Sequence, residues 1–382
     1  MIELKTETWP RVGEVPATTW EPLAATAPPF LEHPFLSALE ESGCVGSETG
    51  WEPTVITGHH DDRVVGACAM YVKTHSMGEF VYDWSFADAA RQYGIRYYPK
   101  AVITAPFSPI PSAKLLLEDA SAEHADAIRE ALLREAIAVA QAAGCESVHL
   151  LFCTEAELAV ARKLGFFGRL GTQLHWQNER YDDFDAFLGR FKAKRRKEIR
   201  RERRAITDSG LVIEALSGDA IEDALCPAMY RFYRNTVTRF MYGRLYLNPA
   251  FFELLWDRMR DRLQLTVARS KHQPVAGTLN FQRNGRRHGR YWGTDVDVRH
   301  LHFELTSYAA IEDCIRQNIS AFEAGAGDYV HKLTRGFLPV VTQSAHLYFH
   351  NDFHRLVEAY CGREAQAIRE AIAQRYESPF IR

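Results

Sequence analysis

Residues 321–346 read AFEAGAGDYVHKLTRGFLPVVTQSAH. An apolar run ending at Phe322 reads as the end of a buried strand, with Glu323 where the strand opens. Gly325 and Gly327 then permit a turn through positive φ. His331, Lys332 and Arg335 bring cations to one short loop, and Gly336-Phe337-Leu338-Pro339 closes it before a second strand begins at Val340. Side chains at strand ends and on loops are where binding and catalysis concentrate. Such a loop suits stabilisation of a developing oxyanion. A strand, turn and strand whose Lys and Arg are merely solvated is the alternative.

Working outward, the same pattern recurs twice. Upstream of 180 the order is a short helix at His33–Ser42, strands near 52–57, 63–73 and 101–104, a proline-rich APFSPIP loop, a long Ala/Leu/Ile helix from Glu123 to Ala143, a strand at Ser147–Cys153, a helix and a final strand at Phe166–Gln177. From Leu211 a strand, two helices, a hairpin, another strand and a helix repeat that order in outline. This predicts an α/β (α+β) fold built as a degenerate tandem duplication. Its expected bounds are a first domain over 1–180, a helical arm over 181–209 and a second domain over 210–382. A chain of 382 residues is long for one core, which agrees.

The formal net charge is only −3, yet residues 192–204 carry nine basic residues against two glutamates. That local excess of seven positive charges leaves the rest of the chain near −10. Tyr181–Asp208 is expected to form one long helix, with Phe184, Phe187, Leu188 and Phe191 as its apolar stripe. Beyond that stripe, Lys192, Lys194, Arg195, Arg196, Lys197, Arg200, Arg201, Arg203 and Arg204 distribute charge around the helix. Such a segment wants a polyanion, and without interleaved aromatics it fits the phosphate backbone of a structured RNA. A solvated linking helix and an anionic lipid surface remain the other readings.

No run approaches the roughly 18 apolar residues of a membrane span, and the N-terminus lacks a signal-peptide pattern, which reads as cytoplasmic. The seven cysteines are scattered without a CxxC pair, so neither a disulfide framework nor a zinc knuckle is indicated. His300, His302 and Glu304 alternate and would share a face in a strand, but no third histidine lies at ligand spacing, so no metal is expected.

The segments RYWGT (290–294), LHFE (301–304), FEAGA (322–326), HKLTRGFLP (331–339) and TQSAH (342–346), in this order, resemble the predicted N-acyltransferases of peptidoglycan biosynthesis or recognition. These are similar to Fem-type aminoacyl ligases. EHPFLSALEESGCV (32–45) and the APFSPIP loop fit as well. The resemblance implies two GNAT-like domains in tandem with a basic helical arm, and transfer of an amino acid from aminoacyl-tRNA to an amine. Where the family usually carries Gly-Glu-His-Lys, this chain has Gly327-Asp328-Tyr329-Val330 before His331. A small biosynthetic amine and a cell-wall precursor are therefore both open as acceptors.

Neither half carries the [Q/R]xxGx[G/A] loop with which GNAT proteins hold a CoA pyrophosphate at a helix start. Gln141-Ala-Ala-Gly144 runs into Cys145-Glu146, and Arg162-Lys-Leu-Gly165 into Phe166-Phe167. No resident cofactor is expected, with aminoacyl-tRNA as co-substrate; an acyl-CoA donor and a non-catalytic binding module are the alternatives. An activated ester asks the protein for two things, an oxyanion donor and a proton acceptor. Lys332 is the candidate donor, helped by Arg335, which could instead clamp a tRNA phosphate. Glu323, then Glu304 and His346, are the candidate acceptors. A structural pair between Glu323 and Arg335 is the competing reading. Tyr291, Trp292 and Tyr308, with His302 and His331, are candidates to line the acceptor pocket, against simple packing for each.

Overall fold

The computed structural model describes residues 4–239, 243–327, 329–375 and 379–380. Asp328 of the divergent run lies outside them. The chain forms two compact units, the first from residues 1–172 and 341–374, the second from 173–340 and 375–382.

In the first unit, α1 (Ala17–Leu23) and α2 (His33–Glu41) separate β1 (Lys5–Trp9) from β2 (Trp51–His60). β3 (Arg63–Lys73), α3 (Trp84–Gln92), β4 (Lys100–Ile103), the short β5 (Leu116–Leu117), α4 (Ala125–Ala142), β6 (Ser147–Leu150) and α5 (Glu155–Lys163) follow. β1, β2, β3 and β4 pair antiparallel, and β4 pairs parallel with β6. Helix α4 buries Ile128, Leu132, Leu133, Ala136 and Ala140, one stripe at helical spacing, in a core with Ile56, Met70, Ile103 and Val148. Its hand-off to β6 needs a left-handed residue, and Gly144 supplies it at φ 69°. Helix α5 starts at a capping box between Thr154 and Glu157.

The second unit takes up the chain within β7 (Phe167–Gln177) and continues through α6 (Phe184–Gly189), α7 (Ala193–Asp208), β8 (Val212–Ser217), α8 (Leu225–Thr238), α9 (Pro249–Arg258), β9 (Leu263–Ser270), β10 (Gln273–Arg283) and β11 (Arg286–Thr294). A helical run from Leu301 to Arg316, with a π-turn at Glu304–Tyr308, then leads to β12 (Ala321–Glu323) and α12 (Tyr329–Leu333). β8 to β11 are antiparallel, β11 pairs parallel with β12, and β12 antiparallel with the end of β7. Gly277 and Gly293, opposite each other on β10 and β11, let α8 press onto the sheet. A Cβ at Gly293 would lie 1.9 Å from the Phe232 carbonyl oxygen.

The two units thus repeat one plan, antiparallel strands followed by a parallel pair, but each is completed by a strand from the other half of the sequence. β7 follows β6 and α5, yet from Gln173 it belongs to the second unit, where His175–Gln177 pair with β12. β13 (Leu338–Tyr348) follows β12, yet from Val341 it belongs to the first unit, where Ala345–Tyr348 pair with β6. α13 (Asn351–Arg375) then packs Phe353, Val357 and Cys361 against Phe86, Tyr97 and Phe167 of that same unit. Residues 341–374, expected in the second domain, are part of the first for this reason.

The expected single helix over 181–208 is two helices. Asp183 caps α6 through Ala186 N–H at 2.7 Å, and the stripe Phe184, Phe187, Leu188 and Phe191 sinks into a cluster with Trp176, Tyr308, Ile311 and Phe337. That burial ends α6, and α7 starts afresh after Lys192. Nor is α7 a projecting arm: Ile199 and Ile206 are 0% and 2% exposed.

Candidate active site

Glu323 occupies the last residue of β12, and its register places it between His288 of β11 and His175 of β7. Side chains directly opposite on paired strands share a face. His288, Glu323 and His175 therefore form a row across three strands, all buried. β12 stops here while β11 runs on to Thr294, so the parallel pair ceases after this rung. A bulge opposite Leu279 and Asn280 inserts Arg290 as an extra residue on β11. Bulges redirect side chains. Arg290 Nη2 lies 3.0 Å from Glu323 Oε1, and His288 Nδ1 is 2.9 Å from Oε2.

Both carboxylate oxygens are thereby engaged. Burial alone would raise the Glu323 carboxyl, but Arg290 and the bond from His288 override it and hold the group far below the usual carboxylate range. Glu323 is a fixed anion and a poor proton acceptor. His175 is pushed down to about 4 by burial, and its Nε2 lies 3.0 Å from Gln173 Oε1.

The cationic segment is helical. Lys332 sits on α12 and its Nζ donates to the Gly325 carbonyl at 2.6 Å, tying the helix to the glycine bend. Arg335 does not reach Glu323. It is 3% exposed, donates to Glu202 of α7 at 2.8 Å and to the His331 carbonyl at 2.9 Å, and stacks 3.3 Å above the Phe303 ring. Tyr308 donates to the same Glu202 oxygen, and Arg195 of α7 donates to the Thr334 carbonyl at 2.6 Å. The inner side of α7 is thus part of this loop's support.

The other expected site residues divide. Trp292 and His302 pack ring to ring at 4.4 Å, and His302, Phe303 and His331 continue that aromatic row. Tyr291 packs on Tyr233 and Phe252, and Tyr308 is buried with its hydroxyl on Glu202. His300, His302 and Glu304 do not alternate along a strand: His300 is left-handed at φ 71° and the others follow in a helix. Glu304 is raised by burial, with Arg203 at 3.0 Å partly offsetting it. His346 lies in the first unit, where its Nδ1 meets His149 Nδ1 at 2.8 Å, and burial pushes it down to about 3. It is not in the unit that brings Glu323 and Lys332 together.

Among the nine basic residues, Arg195 and Arg203 turn inward, Arg203 onto Glu304 and Glu312. Lys192, Lys194, Lys197, Arg200, Arg201 and Arg204 are exposed, and Arg196 is half-buried. A groove of about 600 Å³ runs along this outer face, lined by Lys194, Arg196, Lys197, Arg200, Arg201 and Arg204 with Glu198 and Ala193.

Residues 11–382 match the model of a FemAB-like family described as peptidoglycan biosynthesis/recognition. The chain belongs to the FemAB-like family. No curated protein matches it. Among solved structures, this FemAB-like protein is similar to FemX, at 12% identity and TM-score 0.55 over 92% of this chain and all of that one. It is also similar to L-PGS from Bacillus licheniformis, at 12% identity and TM-score 0.52 over 90% of this chain and 96% of that one. The chain shares the mixed α/β fold of these two structures, and its family is the one described for peptidoglycan biosynthesis/recognition. No helix among the described residues is long and apolar enough to cross a membrane.

Proposed function

We propose that this FemAB-like protein moves an aminoacyl group from aminoacyl-tRNA to an amine, on a cell-wall precursor or a small biosynthetic intermediate. The observation that carries the reading is the two-sided use of α7. Its inner side, through Arg195 and Glu202, braces the loop that holds Lys332 and Arg335. Its outer side is a cationic groove. Evenly spread cations without stacking aromatics favour contacts to phosphates over contacts to bases.

Lys332 is the proposed oxyanion donor, a cation carried on α12 and tied to the glycine bend through the Gly325 carbonyl. Arg335 is a positioning residue, because Glu202 and Phe303 occupy its guanidinium. That argues against its use as a phosphate clamp. Trp292, His302 and His331 are the proposed walls of the acceptor pocket. Charged tRNA is a cytoplasmic reagent, so the proposal carries a cytoplasmic location and no resident cofactor.

The test is a direct competition of donors. The protein is incubated with bulk aminoacyl-tRNA or with acyl-CoA, together with an extract of amine metabolites and cell-wall precursors, and amide products are read by mass spectrometry. Product from charged tRNA alone supports the proposal. Product from acyl-CoA alone replaces it with the CoA-dependent reading, and product from neither favours a binding module.

A further inference from the structure

Helices α8 and α9 face each other across a cavity of about 470 Å³ that the proposed function leaves unused. None of its lining residues belongs to α7, β12 or α12. Each side presents a stripe at helical spacing. On the α8 side these are Asp223, Cys226, Pro227 and Tyr230, at i, i+3, i+4 and i+7, and the α9 side runs from Pro249 to Arg260 in the same steps. The stripes sort by depth. Cys226, Phe252 and Trp256 are buried, and the half-buried Tyr230 meets Phe252 edge to face at 5.5 Å. Asp223, Glu253 and Asp257 are exposed. The cavity therefore has an apolar floor and an acidic rim.

The charge of that rim is not balanced from within. Three carboxylates line the cavity against one guanidinium, and that one, Arg260, is paired with Asp223. Asp257 has Arg258 at 4.0 Å, the outer limit of an ion pair, and Glu253 has no partner among the described residues. The two carboxylates also sit where a helix tolerates them poorly. They are like charges one turn apart, and Asp257 lies in the last turn of α9, at the negative end of its dipole.

We propose that this cavity binds an aliphatic ammonium, with its hydrocarbon chain in the apolar floor beside Tyr230 and its head group at the Glu253 and Asp257 rim. Charge complementarity selects the head group, since the unmatched carboxylates repel an anion and gain nothing from a neutral chain. An ammonium has three N–H donors, and at the rim it can give them to carboxylates and water without being stripped of solvent. Burial of the chain supplies the affinity, and the rim supplies the preference for a cation. The inference goes beyond the aminoacyl-transfer reading and does not rest on it.

The test is calorimetric titration of the whole protein, with no acyl donor present, using hexylammonium, 1-hexanol and ethylammonium. Hexylammonium should bind saturably. 1-Hexanol has the same chain without the charge and should bind about 3- to 30-fold more weakly at low salt, a difference that shrinks near ~1 M salt. Ethylammonium has the charge without the chain and should bind more than about tenfold more weakly. A double variant, Glu253→Gln with Asp257→Asn, should melt at or slightly above the wild-type temperature, bind 1-hexanol as before and lose the preference for hexylammonium. Equal affinities for hexylammonium and 1-hexanol in the wild-type protein overturn the inference and leave a packing notch between two helices. A preference that survives in the double variant overturns it by placing the cation elsewhere, and so does an absence of saturable hexylammonium binding. Because no donor enters the titration, its outcome is independent of whether charged tRNA yields product.

Discussion

Glu323 and Glu304 are both buried glutamates of the second unit, and their surroundings drive them in opposite directions. Arg290 and His288 hold Glu323 ionised against its burial, whereas burial raises Glu304 and one arginine only partly corrects it. The sequence puts Glu323 at a strand end, where it is, but offers Arg335, the nearest arginine downstream, as its partner. Strand register selects Arg290 instead, 33 residues upstream, and with it His288. The available signal is the alternation Arg286, His288, Arg290 leading into RYWGT, on the strand parallel to Ala321–Glu323. Lys332 lends itself to a clean experiment, since it is not fully buried. Lys332→Ala should lower turnover by roughly 100- to 1000-fold, with melting temperature and tRNA affinity near wild type in parallel assays. Arg335→Met should do the reverse. It removes one partner of the buried Glu202 carboxylate, which keeps Tyr308 and the more distant Arg195, so unfolding should become easier by about 1 to 3 kcal/mol in a denaturant titration, before any catalytic effect is counted. In the first unit, His149 and His346 are both pushed below the ordinary histidine range by burial, His346 to about 3. Unfolded, both would take up protons near pH 6.5. The folded state therefore keeps its full stability above that pH and loses it as pH falls toward 3. Urea midpoints should drop from pH 7 to pH 5, and His346→Gln should flatten the drop.

At the scale of elements, α7 shows how a charge run can hide a packed helix. Ile199, Glu202 and Ile206 recur at helical spacing, and these buried residues with Arg195 and Arg203 form its inner side. Counting charges reveals the cationic character of the helix but cannot say which cations are already taken by Glu202, Glu304 and Glu312. The distinction is measurable. Replacing Lys194, Lys197 and Arg201 with Ala should weaken tRNA binding and reduce the slope of log affinity against log salt by about 0.7 to 0.9 for each phosphate no longer neutralised. Thermal stability should barely change, because exposed charges contribute little. Replacing Arg195 and Arg203 should do the opposite, lowering the melting temperature and leaving the salt slope nearly unaltered. Helix α8 depends on a different detail. Gly293→Ala places a methyl group against the Phe232 backbone, where no side chain can yield, and should cost about 1 to 3 kcal/mol in a denaturant titration.

For the whole molecule, the tandem α/β plan is legible because each half repeats the alternation of apolar strands and amphipathic helices. Periodicity marks strands and says nothing of their partners. The divisions expected at 180 and 210 therefore miss that residues 341–374 complete the first unit and Gln173–Gln177 the second. The two exchanged strands have a consequence during synthesis. β6 is translated long before Ala345–Tyr348, its antiparallel neighbour. At roughly 5 to 20 residues per second, the intervening chain takes on the order of 10 to 40 s to emerge from the ribosome. Through that interval the first half of the nascent protein carries an unpaired sheet edge, the kind of surface that recruits other strands. Slowing elongation within codons 180–340 should thus raise the insoluble fraction of newly made protein. Supplying residues 338–375 as a separate polypeptide during translation should lower it again.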